Sequence, residues 1–310
     1  MPYAVGGNAR IRTNISAENA YNSLEVQNKK ISTGQLRLST GKKINNAADD
    51  VAGYITAHAL SSRNGALKAA LNAVGDAQNV SNIIMDALDN INNLISTIKD
   101  SAATASSGAL GTDERVALAK ASYSMAEQIQ TVCDATVYSG QQLLSGAYSV
   151  DFVMGLDASN GLLRLSVDLT STNPNFNTGV NFDTNAMHVA DFGGVTGLNL
   201  SDLNQVSSSD LGIFSKENIT TTLQSLASAI TNFSKVNAYI GGVVNRLGSQ
   251  EDLLKGQVTN YNSAISRFED ADIAQEQLNL VKAQFLQQSS LISLTQANTN
   301  PQAFLQLLKG

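Results

Sequence analysis

Two long seven-residue hydrophobic repeats constrain the fold of this chain more than any other feature. Counted from Leu67, the series Leu67, Ala70, Val74, Ala77, Ser81, Ile84, Leu88, Ile91, Ile95, Ile98, Ala102 and Ala105 alternates steps of three and four, with Ser81 its polar entry. That spacing is the seam of a helix packed lengthwise on another helix. A second series runs Leu223, Leu226, Ile230, Phe233, Asn237, Ile240, Val244, Leu247, Glu251, Leu254, Val258, Tyr261, Ile265 and Phe268, interrupted by Asn237 and Glu251. The first seam alone reaches roughly 58 Å at 1.5 Å per residue. Neither rod can bury its own stripe, so the simplest solution lays one along the other as a long antiparallel bundle.

Between the seams, Val116 to Gln142 reads as a third helix with Leu118, Met125, Ile129 and Val132 on one side, entered through a turn at Gly108 and Gly111. After residue 145 the period falls to two. Val150, Phe152, Met154 and Leu156, then Leu163, Leu165, Val167 and Leu169, alternate with other residues around Asn160-Gly161, whose tolerance of positive φ predicts a β-hairpin. Residues 173–215 are rich in Asn, Gly, Ser and Asp and predict no firm element.

Each end of the chain reads as one helix. Ile15, Leu24, Ile31 and Leu38 form a sparse stripe before Gly41; Leu278, Val281, Phe285 and Ile292 form another after Glu269-Asp270-Ala271-Asp272. Asn300-Pro301 suits a cap and first-turn pair, so Phe304, Leu305 and Leu308 are expected on a separate short apolar turn. Single helices of this length with narrow apolar stripes are marginal in water unless something packs on them. These eleven apolar residues are therefore the expected assembly interface. The fold class is mainly α: a long antiparallel coiled-coil bundle with paired terminal helices and a small β-hairpin-containing middle.

Little in the chain favours chemistry. Charged residues are only 15% of the sequence and the net charge is −6, which leaves no basic excess for nucleic acid or anionic membrane. Cys133 is the single cysteine and there are two histidines, so neither a disulfide nor a His/Cys metal site can form within the chain. The first ten residues lack the apolar core of a secretory signal, and no apolar run is long enough to span a bilayer. Asp49-Asp50 and Asp270 with Asp272 flank breaks between helices, where carboxylates serve helix starts, and are assigned to a domain joint rather than to catalysis. His58 and His188 lack the companions of a metalloprotease helix. Asp151, Asp157, Asp168, Asp183, Asp191, Asp202 and Asp210 show no spacing that pairs two for hydrolysis. No enzyme activity and no cofactor are expected.

The stretch Leu38-Ser39-Thr40-Gly41-Lys42-Lys43-Ile44-Asn45-Asn46-Ala47-Ala48-Asp49-Asp50-Val51-Ala52-Gly53 closely resembles the amino-terminal pattern of bacterial flagellins. Ser266-Arg267-Phe268-Glu269-Asp270-Ala271-Asp272-Ile273-Ala274-Gln275-Glu276, together with Asn245-Arg246-Leu247 and Gln296-Ala297-Asn298 onward, resembles the carboxy-terminal one. The resemblance implies a structural subunit that self-assembles into the helical flagellar filament. It implies terminal helices (1–45 and 271–310) lining a central channel, a helical core (46–149 and 220–270), and a small outer segment (150–219). Implied partners are other copies of the chain, an export chaperone, the filament cap and hook-junction proteins. Passage through the flagellar type III apparatus would carry it outside the cell without a cleaved signal. The rival within the same resemblance is a hook–filament junction protein, which usually reads Pro-Ser-Asp-Asp-Pro where this chain has Asn46 to Gly53.

One segment departs from the family. Flagellins sensed by the Toll-class innate receptor usually carry Leu-Gln-Arg-x-Arg-Glu-Leu-Ala, and the matching surface here is Ile95, Thr97, Lys99, Asp100 and Ser101. Thr97 replaces a planar guanidinium and Ser101 an apolar anchor, each worth about 2 kcal/mol or more at an interface hot spot. Purified monomer is expected to activate receptor reporter cells poorly; potent activation would contradict this.

Overall fold

The structure, a computed structural model, describes residues 13–156, 162–170, 173 and 191–307. His188, Leu308, Asp157, Asp183 and the Asn160-Gly161 turn lie outside the described residues. Five helices dominate: α1 Ile15–Thr40, α2 Val51–Ala105, α3 Thr112–Ala135, α4 Ile219–Glu269 and α5 Ile273–Leu307. Four strands, β1 Val137–Tyr138, β2 Gln141–Gln142, β3 Ser149–Leu156 and β4 Leu162–Asp168, form two antiparallel hairpins. The chain divides into two compact units, one of Met1–Asn64 with Thr259–Gly310 and one of Gly65–Val258.

In the second unit the α2 seam is buried at every position expected, from Leu67 to Ala105, Ser81 included. Polar entries in the helices set the antiparallel pairing with α4: Gln78 Nε2 donates to Glu251 Oε2 at 3.0 Å, and Asn237 Nδ2 donates to Asp89 Oδ1. Such bonds tolerate one alignment only, whereas apolar contacts would tolerate several.

The α4 seam differs from its sequence expectation at nine of fourteen positions, among them Glu251, Val258, Tyr261 and Ile265, which are half-buried, and Phe268, which is exposed. Leu226, Phe233, Ile240, Leu247 and Leu254 are buried as read, but Thr222, Ala229, Val236 and Val243 are buried instead of Leu223, Ile230, Asn237 and Val244. The buried face is offset by one residue at these alternate positions, and the reading followed Leu223 and Ile230 because they are larger than the buried Thr222 and Ala229 beside them. Gly193 shows how tight it is: φ is 64°, and a Cβ there would sit 3.0 Å from Ala229 Cβ. Beside it Phe192 meets the Phe233 ring at 5.8 Å between centroids, and Asn232 Nδ2 donates to Gly193 O at 2.9 Å.

Helix α3 ends at Ala135, seven residues before the expected Gln142. Val137 and Tyr138 favour extended backbone, and Ser139-Gly140, with φ of 52° and 80°, turn the chain into the β1–β2 hairpin. The buried face of α3 is Arg115, Ala119, Ser122, Ala126 and Ile129; Leu118, Met125 and Val132 flank it. The β3–β4 hairpin pairs Val150 with Val167 and Phe152 with Leu165, with an irregularity between Val153 and Gly155, and buries Leu165, Val167 and Leu169. Residues 191–215 hold three short 3-10 turns, Phe192–Gly194, Leu200–Gln205 and Gly212–Phe214, too local to leave a periodic pattern.

At the carboxy end, Asn300 and Pro301 do not begin a new helix. Helix α5 runs through them to Leu307, because the fixed φ of proline is itself helical and removes a single hydrogen bond.

Ile91 is buried and Ile83 is more than one-third exposed on the same helix. Ile91→Ala is expected to destabilise the second unit by about 2–5 kcal/mol, and Ile83→Ala by about 0.5 kcal/mol or less, in denaturant titrations.

Candidate assembly surface

The first unit is built around α1 and α5, which lie antiparallel. Three bonds fix their alignment. Arg37 Nη1 reaches Glu276 Oε1 at 3.0 Å, Gln287 Nε2 donates to Asn28 Oδ1 at 2.6 Å, and Asn14 Nδ2 donates to Ala297 O at 2.7 Å. The facing residues are small or polar. Ala20 and Gly34 on α1 and Ala283 and Ala297 on α5 are buried, with Leu24, Ile31, Leu38, Leu280 and Leu294 half-buried around them. A seam of this kind brings two helices close but removes little apolar surface from water.

The outward faces carry the larger side chains. Leu278, Val281, Phe285 and Ile292 remain 64, 54, 70 and 69% exposed, so the α5 stripe points away from α1. Ile15 is half-exposed, whereas Leu24, Ile31 and Leu38 help hold the pair together within one chain. Phe304 and Leu305 belong to the last turns of α5. The sequence reading missed Tyr21, Val26 and Leu36 on α1 and Ile273, Leu286 and Leu291 on α5, which are also exposed. They lie off the single stripes that were sought; together with those stripes they make α5 apolar on several sides, the pattern of a helix meant to be surrounded.

Behind this surface the four joint carboxylates have distinct partners. Asp49 Oδ2 accepts the backbone N–H groups of Asn45 and Asn46, each at 3.0 Å. Asp50 Oδ1 accepts Gly53 N at 3.1 Å and so caps α2; Asp272 Oδ1 accepts Gln275 N at 3.1 Å and caps α5. Asp270 bridges Lys42 in a strand-like pairing extended by Lys43 N to Glu269 O at 2.6 Å and Ala271 N to Gly41 O at 2.9 Å. Lys42 Nζ also meets Glu269 Oε2 at 2.8 Å. Gly41, with φ of 71°, ends α1 and lets the chain enter this bridge. At Gly53 a Cβ would lie 2.6 Å from both Asp50 Oδ2 and Ile44 Cδ1, so a larger residue there would have to displace the capping carboxylate and the Ile44 side chain.

The immune-receptor-equivalent positions divide by depth. Ile95 is fully buried in the α2 seam and is not a surface residue; Thr97 and Asp100 are exposed, with Lys99 and Ser101 half-exposed.

Nothing among the described residues gathers for chemistry. Asp151 pairs with Arg164 at 3.5 Å, while Asp168, Asp191 and Asp210 accept the backbone N–H groups of Thr170, Gly197 and Gly212. Asp202 accepts Asn199 Nδ2 at 3.1 Å. His58 stacks edge-on against Tyr54 on an exposed face of α2. Burial, with Asp134 adding to it, pushes the Cys133 thiol up to about 12, leaving it protonated and a poor nucleophile near neutrality. No three His, Cys, Asp or Glu side chains among the described residues cluster as metal ligands, and no helix there is long and apolar enough to cross a membrane.

The described residues thus present an outward apolar surface on paired terminal helices, backed by capped joints. The bacterial flagellin N-terminal helical region matches residues 11–149 and the bacterial flagellin C-terminal helical region matches residues 223–308. The chain belongs to the bacterial flagellin family, whose members are structural, non-enzymatic subunits of the flagellar filament. It is similar to flagellin from Bacillus subtilis (strain 168), 26% identical over 97% of this chain and 100% of the relative. Flagellin FlaB1 of Treponema pallidum is 25% identical over 96% of this chain and 99% of its own. A structure described as a flagellar hook-associated protein from Vibrio parahaemolyticus shares the fold, with a TM-score of 0.55 at 13% identity, covering 72% of this chain and all of that one.

The two backbone N–H bonds hold the Asp49 carboxyl below its ordinary value. A depressed folded-state value stabilises above the unfolded value of 3.8 and is lost as pH falls through the folded one. The stability difference between wild type and Asp49→Asn should therefore be constant near neutrality and shrink in acid. Amide exchange at Asn45 and Asn46 across an acid titration checks this.

Proposed function

We propose that the chain polymerises with copies of itself into the flagellar filament and so serves motility. The observation that supports this most is the outward apolar face of the α1–α5 pair. Each of its Leu, Ile, Val and Phe side chains has about half or more of its surface left to bury, worth roughly 1–2 kcal/mol apiece. A contact of this kind repeated head-to-tail, with a rotation that does not close, yields an open helical polymer. In this reading 1–45 and 271–310 line the channel, 46–149 and 220–270 form the surrounding core, and 150–219 faces outward.

The subunit travels through the flagellar type III apparatus, held by an export chaperone, and meets hook-junction and cap proteins at the filament ends. A chain without disulfides suits such passage. The hook–filament junction alternative shares the fold with the Vibrio parahaemolyticus protein, but a common fold does not discriminate between subunits of one organelle. Asn46 to Gly53 and the near full-length likeness to named flagellins favour the filament.

Removing residues 1–40, or the last 40 or so, should leave a folded, soluble remainder that forms no filaments by electron microscopy. Filaments from either truncate would overturn the reading. In purified flagella the chain should be present along the whole filament; confinement to a single ring at the hook would favour the alternative.

A further inference from the structure

The first turn of α1 and the last turns of α5 are joined by one side chain with two tasks. Asn14 is the N-cap of α1, and its Oδ1 accepts Ala17 N at 3.1 Å. Its Nδ2 donates to Ala297 O at 2.7 Å. Ala297 stands four residues before Pro301, within a helix that continues to Leu307. In such a helix the carbonyl of residue 297 would be bonded by the N–H of residue 301, and proline has none. Ala297 is 7% exposed, so water has poor access to the orphaned carbonyl. The amide of Asn14 occupies the place that the missing N–H leaves empty.

We infer that Asn14 is a positioning residue that reads Pro301, fixing the register in which the amino-terminal helix lies along the carboxy-terminal one. The inference rests on the filament reading for its biological consequence.

The seam itself specifies register weakly. Its buried members are Ala20, Gly34, Ala283 and Ala297, and a Cβ built on Gly34 would lie 3.7 Å from Leu280 Cδ1, an ordinary contact without clash. Small residues at heptad spacing allow one pair to slide past another with little penalty. A slip of one heptad moves Asn14 by about 10 Å along α5. It would then face carbonyls that already hold their helical N–H bonds, while that of Ala297 would be left with none. Because leaving a buried acceptor unpaired costs more than an extra bond returns, the aligned register wins. Oxygen to its own helix and nitrogen to the partner is a division that an asparagine amide can make; ionised aspartate caps as well but has no donor, and the serine hydroxyl, one bond nearer the backbone, must serve both tasks from a single short atom.

A four-protein cycle on the full chain tests this: wild type, Asn14→Ser, Pro301→Ala and the double variant, each measured for its critical concentration of polymerisation. Asn14→Ser keeps the cap and draws the donor back by one bond from Ala297 O, so with Pro301 present it should raise the critical concentration about tenfold. With Pro301→Ala, the restored N–H bonds Ala297 O, and the same change should matter less than about twofold. Asn14→Asp should behave as Asn14→Ser in both backgrounds. Equal losses with and without Pro301, or no loss at all, would overturn the inference. Wild type that never polymerises would instead strike the filament reading. The cycle would then be scored on far-ultraviolet melting curves, where absence of coupling between Asn14 and Pro301 overturns the inference just as plainly.

Discussion

Everything at the ends of this chain follows from how little the α1–α5 seam can bury. Ala20, Gly34, Ala283 and Ala297 bring the helices together without supplying the large side chains that drive a helix pair to fold. Fixing a residue in a helix costs about 1–2 kcal/mol of backbone entropy, and a seam of alanine and glycine offsets only part of it. Leu24, Ile31, Leu38, Leu280 and Leu294 flank the seam only half-buried, and Leu278, Val281, Phe285 and Ile292 face outward. A helix pair built this way is completed by what packs around it, and in the proposed filament that is another subunit.

The second unit follows the opposite rule. Its α2 seam is lined by Ile84, Leu88, Ile91, Ile95 and Ile98, all buried within one chain. Polar residues there set alignment rather than provide adhesion: Gln78 with Glu251, Asn237 with Asp89. Glu251 also meets Lys255 at 2.5 Å, and that bond holds the Glu251 carboxyl below its ordinary pKa and the Lys255 ammonium above its own, favouring the charged form of each. One unit is thus stable by its own core, and the other is held at its joint by caps and a two-stranded bridge that orient helices without burying much.

What the sequence made legible tracks the size and regularity of buried side chains. The α2 seam could be read to the residue because Ile84, Leu88, Ile91, Ile95 and Ile98 recur without a break and fix the phase of the smaller residues on either side. The α4 seam was misread at most of its positions because Leu223 and Ile230, which are only half-buried, are larger than the buried Thr222 and Ala229 beside them, and following them shifted alternate positions by one residue. Helix α3 was overextended because Val137, Tyr138, Gln141 and Gln142 continue an apolar-polar mix that helix periodicity accepts, while the decisive signal was the Ser139-Gly140 turn. The outward stripe of Leu278, Val281, Phe285 and Ile292 was visible as a period. Its direction was not, since alanines at Ala283 and Ala297 mark the inner face and leave almost no hydrophobic signal. Asn300-Pro301 was read as a start because that dipeptide usually is one; proline's helical φ lets the helix continue through it, and Asn14 bonds the Ala297 carbonyl that Pro301 leaves without an N–H.

The most direct test of the account is amide hydrogen exchange across α1 and α5, compared between dilute subunits and the assembled filament. The account predicts fast exchange in both helices of the free subunit, strong protection of both in the filament, and little change at the α2 seam between Ile84 and Ile98. Equal protection of α1 and α5 in the two states would contradict it, because the terminal pair would then be sufficient to hold its own structure.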